Sequence, residues 1–196
     1  DPDQAGARAL ANAALAMLSR RDGGTRAQAQ YDSADNMTQQ LTAWSCLLQA
    51  GVGEAATQAF YTQWQHDRLV IDKWFSLQIM HAAPEHAAEV AETLTQHPDF
   101  TLRNPNRFRA TLSALTMSPA GFHHASGRGY RLLADMLIRL DPLNPQTTAR
   151  MCSAFETWRR YDPVRQGMIA AELDRILATP NLSRDTTEMV GRIRGS

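Results

Sequence analysis

Residues 130–158 read YRLLADMLIRLDPLNPQTTARMCSAFETW, and this stretch decides the fold class. Large apolar side chains recur every three or four residues on both sides of a proline-rich break, at Tyr130, Leu133, Leu137 and Leu140 and again at Met151, Phe155 and Trp158. This spacing is typical of amphipathic helices, whose period is about 3.6 residues. Asn144 followed by Pro145 is a typical helix start, because Asn caps free N–H groups and proline fits the first turn. The stretch therefore predicts helices joined by a short loop.

Residues that mark helix boundaries recur along the whole chain. None of the nine prolines has to lie inside a helical stripe. Candidate N-caps are Asn36, Asn104, Asn144 and Asp162. Helices are predicted at about 3–20, 25–34, 37–50, 54–66, 69–80 and 84–96, and around the apolar stripes of 108–115, 130–140, 151–158 and 169–176. The total is ten or eleven helices.

Composition supports an all-α fold. The chain contains 30 Ala and 20 Leu but only 5 Val and 6 Ile, so residues that favour helix far outnumber those that favour strand. Short connections imply antiparallel neighbours. We expect a single domain over residues 1–196, built of helix hairpins stacked into a curved armadillo- or HEAT-like α-solenoid, with a compact irregular bundle as the alternative. The start at Asp1, without an initiator Met, suggests a piece of a longer chain.

Charge and cysteine content narrow the possible partners. The 20 basic and 20 acidic residues cancel, so general attraction to nucleic acid or to an anionic membrane is not expected. The halves nevertheless differ: residues 1–98 hold 6 basic and 11 acidic groups (6 − 11 = −5), and residues 99–196 hold 14 and 9 (14 − 9 = +5). Cys46 and Cys152 are far apart and fit two buried thiols in a reducing cytoplasm. The apolar runs are too short to cross a bilayer.

Catalytic motifs are missing from the sequence. The chain has no His-Glu-x-x-His zinc motif, no phosphate-binding glycine loop and no Gly-x-Ser-x-Gly elbow. The nearest imitation of a metal pair, His81 and His86, has the wrong spacing, since two residues five apart on a helix point about 140° away from each other. We therefore expect no catalytic residue, no metal ligand and no cofactor in this chain.

Two helix starts break a local rule. The first turns after Asn104-Pro105 and Asn144-Pro145 contain no acid, and Arg107, Arg109 and Arg150 lie nearby. A helix N-terminus carries partial positive charge and favours acidic residues. One interpretation is that these arginines pair with carboxylates elsewhere, which the pattern alone slightly favours. The other is that an anion binds at these helix ends.

Several segments together resemble the C-terminal helical domain of bacterial-type aminopeptidase N. They are Ala34-Asp35-Asn36-Met37-Thr38, Leu69-Val70-Ile71-Asp72-Lys73-Trp74-Phe75, Phe100-Thr101, Asn104-Pro105-Asn106-Arg107-Phe108-Arg109, Asn144-Pro145-Gln146 with Arg150, and Arg160-Tyr161-Asp162 with Arg165-Gln166. Their order and spacing hold from about residue 30 to the end of the chain. The first 30 residues add a helical pattern without a signature.

The resemblance implies a zinc metalloaminopeptidase whose zinc and catalytic residues lie in an upstream domain. In that family the terminal domain encloses the active-site cavity and limits entry to small peptides. By position, Gln146 matches a residue that reaches the pocket for the first substrate side chain, and Arg109 and Arg150 match arginines lining the cavity. We hypothesise that the two arginines attract a peptide carboxylate. The competing functions are an independent α-solenoid adaptor that binds a protein and, less favoured, a nucleic-acid-binding helical repeat.

Overall fold

The computed structural model describes residues 5–195, which form twelve α-helices and no strand. The helices are α1 (Ala5–Asp22), α2 (Thr25–Ser33), α3 (Met37–Gln49), α4 (Glu54–Trp64), α5 (Arg68–Met80), α6 (Pro84–Thr95), α7 (Pro105–Thr116), α8 (Pro119–Phe122), α9 (Arg128–Leu140), α10 (Pro145–Cys152), α11 (Pro163–Leu177) and α12 (Arg184–Gly195). The all-α prediction is confirmed. The predicted start of the first helix at residue 3 lies outside the described residues.

The predicted helix starts are confirmed in detail. The side chains of Asn36, Asn104, Asn144 and Asp162 each accept a hydrogen bond from a backbone N–H in the first turn of the helix that follows. Prolines open α6, α7, α8, α10 and α11. These positions cost no helical hydrogen bond, because the first N–H groups of a helix have no acceptor within it.

The helix expected at the stripe of Met151, Phe155 and Trp158 is wrong. The α-helix ends at Cys152, and two short 3₁₀ turns follow, at Ser153–Phe155 and Trp158–Arg160. A 3₁₀ period of three residues keeps residues i and i+3 on one side, so Phe155 and Trp158 are both buried without a continuous helix. With α8 and α12 included, the described residues form more helices than the ten or eleven expected.

The chain divides into two compact units, Asp1–Ala82 and Ala83–Ser196. In the first, α1 packs on α2 and α3, and α4 packs on α3 and α5. Its core is aromatic: the fully buried rings of Trp44 and Phe60 stack with centroids 4.7 Å apart. In the second unit α9 is central and contacts α6, α7, α8, α10 and α11. The expectation of a single domain over residues 1–196 stays a prediction.

Candidate functional site

Helix α10 presents two of the three candidate residues together. Asn144 caps the helix by accepting a hydrogen bond from the Thr147 N–H at 3.0 Å, and Pro145 occupies the first turn. Gln146 and Arg150 are four residues apart, which places them one above the other on one helix face. Both are exposed, whereas Thr148 and the end of the helix are buried. The amide and the guanidinium therefore face the same surface.

Helix α12 packs against α10, and a buried carboxylate anchors its first turn. Asp141, directly after α9, is 3% exposed. It accepts hydrogen bonds from the Ser183 N–H at 2.7 Å, from the Ser183 hydroxyl at 2.6 Å and from the Thr186 hydroxyl at 2.6 Å. The indole N–H of Trp158 donates to the Ile193 carbonyl at 3.0 Å, near the other end of α12. Both ends of the helix are thereby tied to the rest of the second unit.

Between α10 and α12 lies a cleft of about 620 Å³. Its lining residues are Gln146, Ala149 and Arg150 of α10 and Asp185, Glu188, Met189 and Arg192 of α12. The lining thus combines two guanidinium groups, two carboxylates, one amide and one thioether. This α10–α12 cleft suits a polar ligand that carries a charge.

The charges of the α10–α12 cleft are not equally available. Glu188 pairs with Arg184 at 2.7 Å, and Arg192 pairs with Glu156 at 2.8 Å. The side chains of Gln146 and Arg150 make no hydrogen bond or ion pair within residues 5–195. The α10 wall therefore holds one cation and one amide that a ligand can engage without displacing an existing protein contact.

The third candidate, Arg109, does not line this cleft. It is exposed on α7 and donates a hydrogen bond to the Asn106 side chain at 2.7 Å. One turn further along α7, the Ser113 hydroxyl contacts the Met151 sulfur at 3.5 Å, so α7 lies beside the last turn of α10. The structure brings Gln146 and Arg150 together and leaves Arg109 on a neighbouring helix.

The missing acids at the helix starts are a general feature of this chain. The first turns of α3, α5, α9 and α11 also contain none. At α7 the nearby cation has its own structural explanation: Arg107 is 4% exposed, and its guanidinium donates to the Asp99 carbonyl at 2.7 Å. The absence of acids by itself therefore does not single out α7 or α10 as anion sites.

The α12 wall was not found by sequence reasoning. Asp185, Glu188, Met189 and Arg192 follow the three- and four-residue spacing of one helix face. That periodicity was the only available signal, and by itself it describes any solvated helix. Their role in a cleft depends on the packing of α12 against α10, which involves no local motif.

The cysteines are poor candidates for nucleophiles. Both Cys46 and Cys152 are free and buried, as predicted. Burial raises the pKa of the Cys152 thiol to about 12, and burial also raises the pKa of Cys46. Because the thiolate is the reactive form, neither residue supplies a nucleophile near neutral pH.

Among residues 5–195, no group of three or more His, Cys, Asp or Glu side chains has an arrangement that could hold a metal ion. Within the same residues, every helix falls short of the length and apolar character needed for a membrane span.

Known proteins similar to this chain include aminopeptidases. The chain is 39% identical over 201 residues to aminopeptidase N of Caulobacter vibrioides, an alignment that covers 100% of this chain and 23% of the relative. It is 39% identical over 167 residues to aminopeptidase N of Escherichia coli, covering 82% of this chain and 19% of that protein. The chain thus spans about a fifth of the length of these relatives.

A solved structure and a family model complete the comparison. The crystal structure of Legionella pneumophila aminopeptidase A in complex with aspartic acid matches with a TM-score of 0.90 and 31% sequence identity, over 98% of this chain and 23% of that one. The family model that matches residues 1–195 is described as a domain of unknown function, DUF3458_C, with ARM repeats. The repeat type confirms the predicted armadillo-like, all-α fold class. The chain belongs to the DUF3458_C family of ARM-repeat domains.

Proposed function

We propose that this chain is the non-catalytic C-terminal domain of a larger aminopeptidase that removes N-terminal residues from peptides. The observation that carries the proposal is the relationship to aminopeptidases over the whole chain, at a share of only 23% of the relative's length. The hydrolytic machinery then belongs to the preceding part of the protein. Zinc belongs there as well, in keeping with the resemblance to aminopeptidase N, whose zinc lies in an upstream domain.

The α10–α12 cleft is the part of this domain that contacts the peptide. The guanidinium of Arg150, which has no partner among residues 5–195, accounts for binding of the substrate carboxylate, because charge-assisted hydrogen bonds to planar carboxylates are among the strongest that proteins form. The amide of Gln146, one turn away, both donates and accepts hydrogen bonds and contacts the first side chain of the peptide. Arg109 adds positive charge from α7 and acts at longer range.

Access control follows from the same arrangement. A domain that covers the active-site cavity admits short peptides and excludes folded proteins, so its contribution is to selectivity. Two free buried thiols suit a cytoplasmic protein, since disulfides are rare in that compartment. The proposal involves neither nucleic acid nor a membrane as a partner.

Kinetics of the full-length enzyme test the role of the α10–α12 cleft. Arg150→Ala should lower kcat/KM for dipeptides and tripeptides by about ten- to a hundredfold, since a lost hydrogen bond to a charged group costs about 1.5–3 kcal/mol. The value for an uncharged aryl amide, which has no terminal carboxylate, should change little. Arg109→Ala should have a smaller effect in the same direction, because its charge acts from a neighbouring helix.

Arg192→Ala is the matched control. Arg192 lines the same cleft, but Glu156 already engages its guanidinium, so its removal should affect the short peptides less than the removal of Arg150. Arg150→Lys should restore part of the loss by restoring the charge. An equal loss on peptides and on the aryl amide in Arg150→Ala would reject carboxylate binding by this residue.

A further inference from the structure

Helix α1 uses little of its surface for packing inside the first unit. The helix is 18 residues long, but only Leu15 and Ser19 are buried, and these face α2 and α3. Arg8 and Asn12 continue the same side of the helix at four-residue and three-residue steps and are half-buried. One stripe of α1 therefore serves the unit to which it belongs.

The opposite stripe is apolar and exposed. We call the residues Gly6, Leu10, Ala13 and Met17 the outer face of α1. They follow one another at steps of four, three and four residues, and at 100° per residue they lie on the side of the helix opposite to Leu15. Leu10 is 73% exposed and Met17 is 74% exposed.

The outer face of α1 also lacks charge. Between Ala9 and Ser19 the helix contains no Asp, Glu, Lys or Arg. A solvated helix surface looks different, as α12 illustrates with Arg184, Asp185, Glu188 and Arg192. An exposed apolar stripe opposite the side that already packs on α2 and α3 is typical of a helix packed between two layers. Only one of those layers belongs to the first unit.

The occupant of the outer face has to suit its small size. Eighteen residues span about 27 Å, and a strip of that length and about 10 Å wide covers on the order of 300 Å². A stable interface between separate proteins needs about 800 Å² from each partner. A second copy of this chain therefore gains too little from this face alone. A tethered segment needs less, because its effective concentration is already in the millimolar range.

The comparisons supply such a segment. The aligned region is 23% of the Caulobacter vibrioides aminopeptidase N, so about three quarters of that relative lies outside it. In a C-terminal domain the remaining chain precedes Asp1, which lies four residues before α1 in the sequence. We propose that the outer face of α1 docks on an apolar surface of this preceding segment and so holds the domain against the rest of the enzyme. The inference rests on the proposed function, because it requires that segment.

Methionine oxidation in the full-length protein tests the docking. Met17 and Met117 form a matched pair, since they are 74% and 75% exposed in the structure of this chain. With dilute hydrogen peroxide, Met17 should oxidise about tenfold more slowly than added N-acetylmethionine amide, because a covered thioether loses access to the oxidant. Met117 serves as the internal reference for oxidant access. Peptide mass spectrometry reads both residues in one sample.

A variant and a dilution series sharpen the result. Leu10→Glu places a charge on the outer face and should raise the oxidation rate of Met17 at least to half that of the model compound, whereas Val164→Glu, at a residue of similar exposure on α11, should not. Oxidation of Met17 in the unaltered protein at the rate of the model compound would overturn the proposal. Protection that disappears on dilution would also overturn it, by identifying a second copy as the occupant.

The methionine oxidation and the enzyme kinetics distinguish the docking proposal from the proposed substrate role of the α10–α12 cleft. Protected Met17 together with unchanged peptide kinetics in Arg150→Ala would retain the docking and reject the substrate role of the α10–α12 cleft. Exposed Met17 together with a selective kinetic loss would reject the docking and retain the substrate role.

Discussion

The two compact units expose different kinds of surface. The exposed large apolar side chains of the first unit are Leu10, Met17, Leu18, Val52, Leu69 and Met80, and those of the longer second unit are Met117, Leu143 and Val164. The second unit instead joins its helices by exposed ion pairs, such as Arg175 to Asp135 between α11 and α9 and Arg194 to Asp174 between α12 and α11. The first surface suits docking, and the second suits contact with a charged ligand.

The interiors differ in the same way. In the first unit, indole groups connect the helices: the N–H groups of Trp44 and Trp74 donate to the hydroxyl and the carbonyl of Thr57 at 2.8 and 2.9 Å. In the second unit, the buried carboxylate of Asp141 holds the start of α12. The comparison teaches that a chain with zero net charge can join its helices in two ways, by aromatic side chains in the first unit and by a buried carboxylate and ion pairs in the second.

The largest expected effect is a loss of stability when the aromatic core of the first unit is disrupted. Phe60 is fully buried and stacks on Trp44, so Phe60→Ala should lower the free energy of unfolding of that unit by about 3–5 kcal/mol, through lost burial and the cavity left behind. Hydrogen exchange of the α3 and α4 amides measures the change. Phe60→Leu fills part of the cavity and should cost less. A loss below about 1 kcal/mol in Phe60→Ala would contradict the importance of this stack.

The next effect breaks the polar anchor of the second unit. Asp141→Ala leaves the hydroxyls of Ser183 and Thr186 without their acceptor, and unsatisfied buried polar groups cost about 1–3 kcal/mol. Hydrogen exchange of α12 should accelerate correspondingly, while that of α3 should not change. Asp141→Asn retains one acceptor oxygen and should show an intermediate effect. Unchanged exchange of α12 in Asp141→Ala would show that apolar packing alone holds this helix.

Sequence reasoning succeeded where the determinants are local. The cap at Asn104 and the proline after it occupy adjacent positions, and a helix start depends on little else. The face shared by Gln146 and Arg150 follows from their separation of four residues. These features were predictable because they depend only on the backbone of one helix and not on contacts with distant residues.

The remaining features depend on contacts between distant residues. Asp141 meets Ser183 and Thr186 across 42 and 45 residues, so no window of sequence reveals the anchor. That anchor lies at the beginning of α12, the helix that forms one wall of the cleft. The prediction of a helix through Phe155 was wrong for a related reason. Two apolar residues three positions apart can both be buried by 3₁₀ turns as well as by an α-helix, so their spacing does not distinguish the two.

The smallest expected effect is a pH dependence of the unfolding free energy of the second unit, and it tests the importance of polar groups there. His123 stacks on Tyr161 with ring centroids 3.9 Å apart, and its Nδ1 lies 3.0 Å from the Tyr130 hydroxyl. Burial, together with the nearby charge of Arg165, lowers the pKa of His123 below its usual value of 6.5. The folded state therefore binds this proton less readily than the unfolded state.

The direction of the pH effect follows from this difference. Above pH 6.5 His123 is neutral in both states and its contribution to stability is fully present; as the pH falls below 6.5 the unfolded state takes up the proton first, and stability is lost until the folded-state pKa is passed. His123→Gln should make the unfolding free energy of the second unit less dependent on pH below 6.5. His81→Gln is the control, since burial lowers the pKa of His81 in the first unit. Hydrogen exchange of α9, followed from pH 7 to pH 5 with correction for intrinsic exchange, should respond to the first substitution and not to the second. An unaltered slope for α9 in His123→Gln would mean that another group controls the acid response of the second unit.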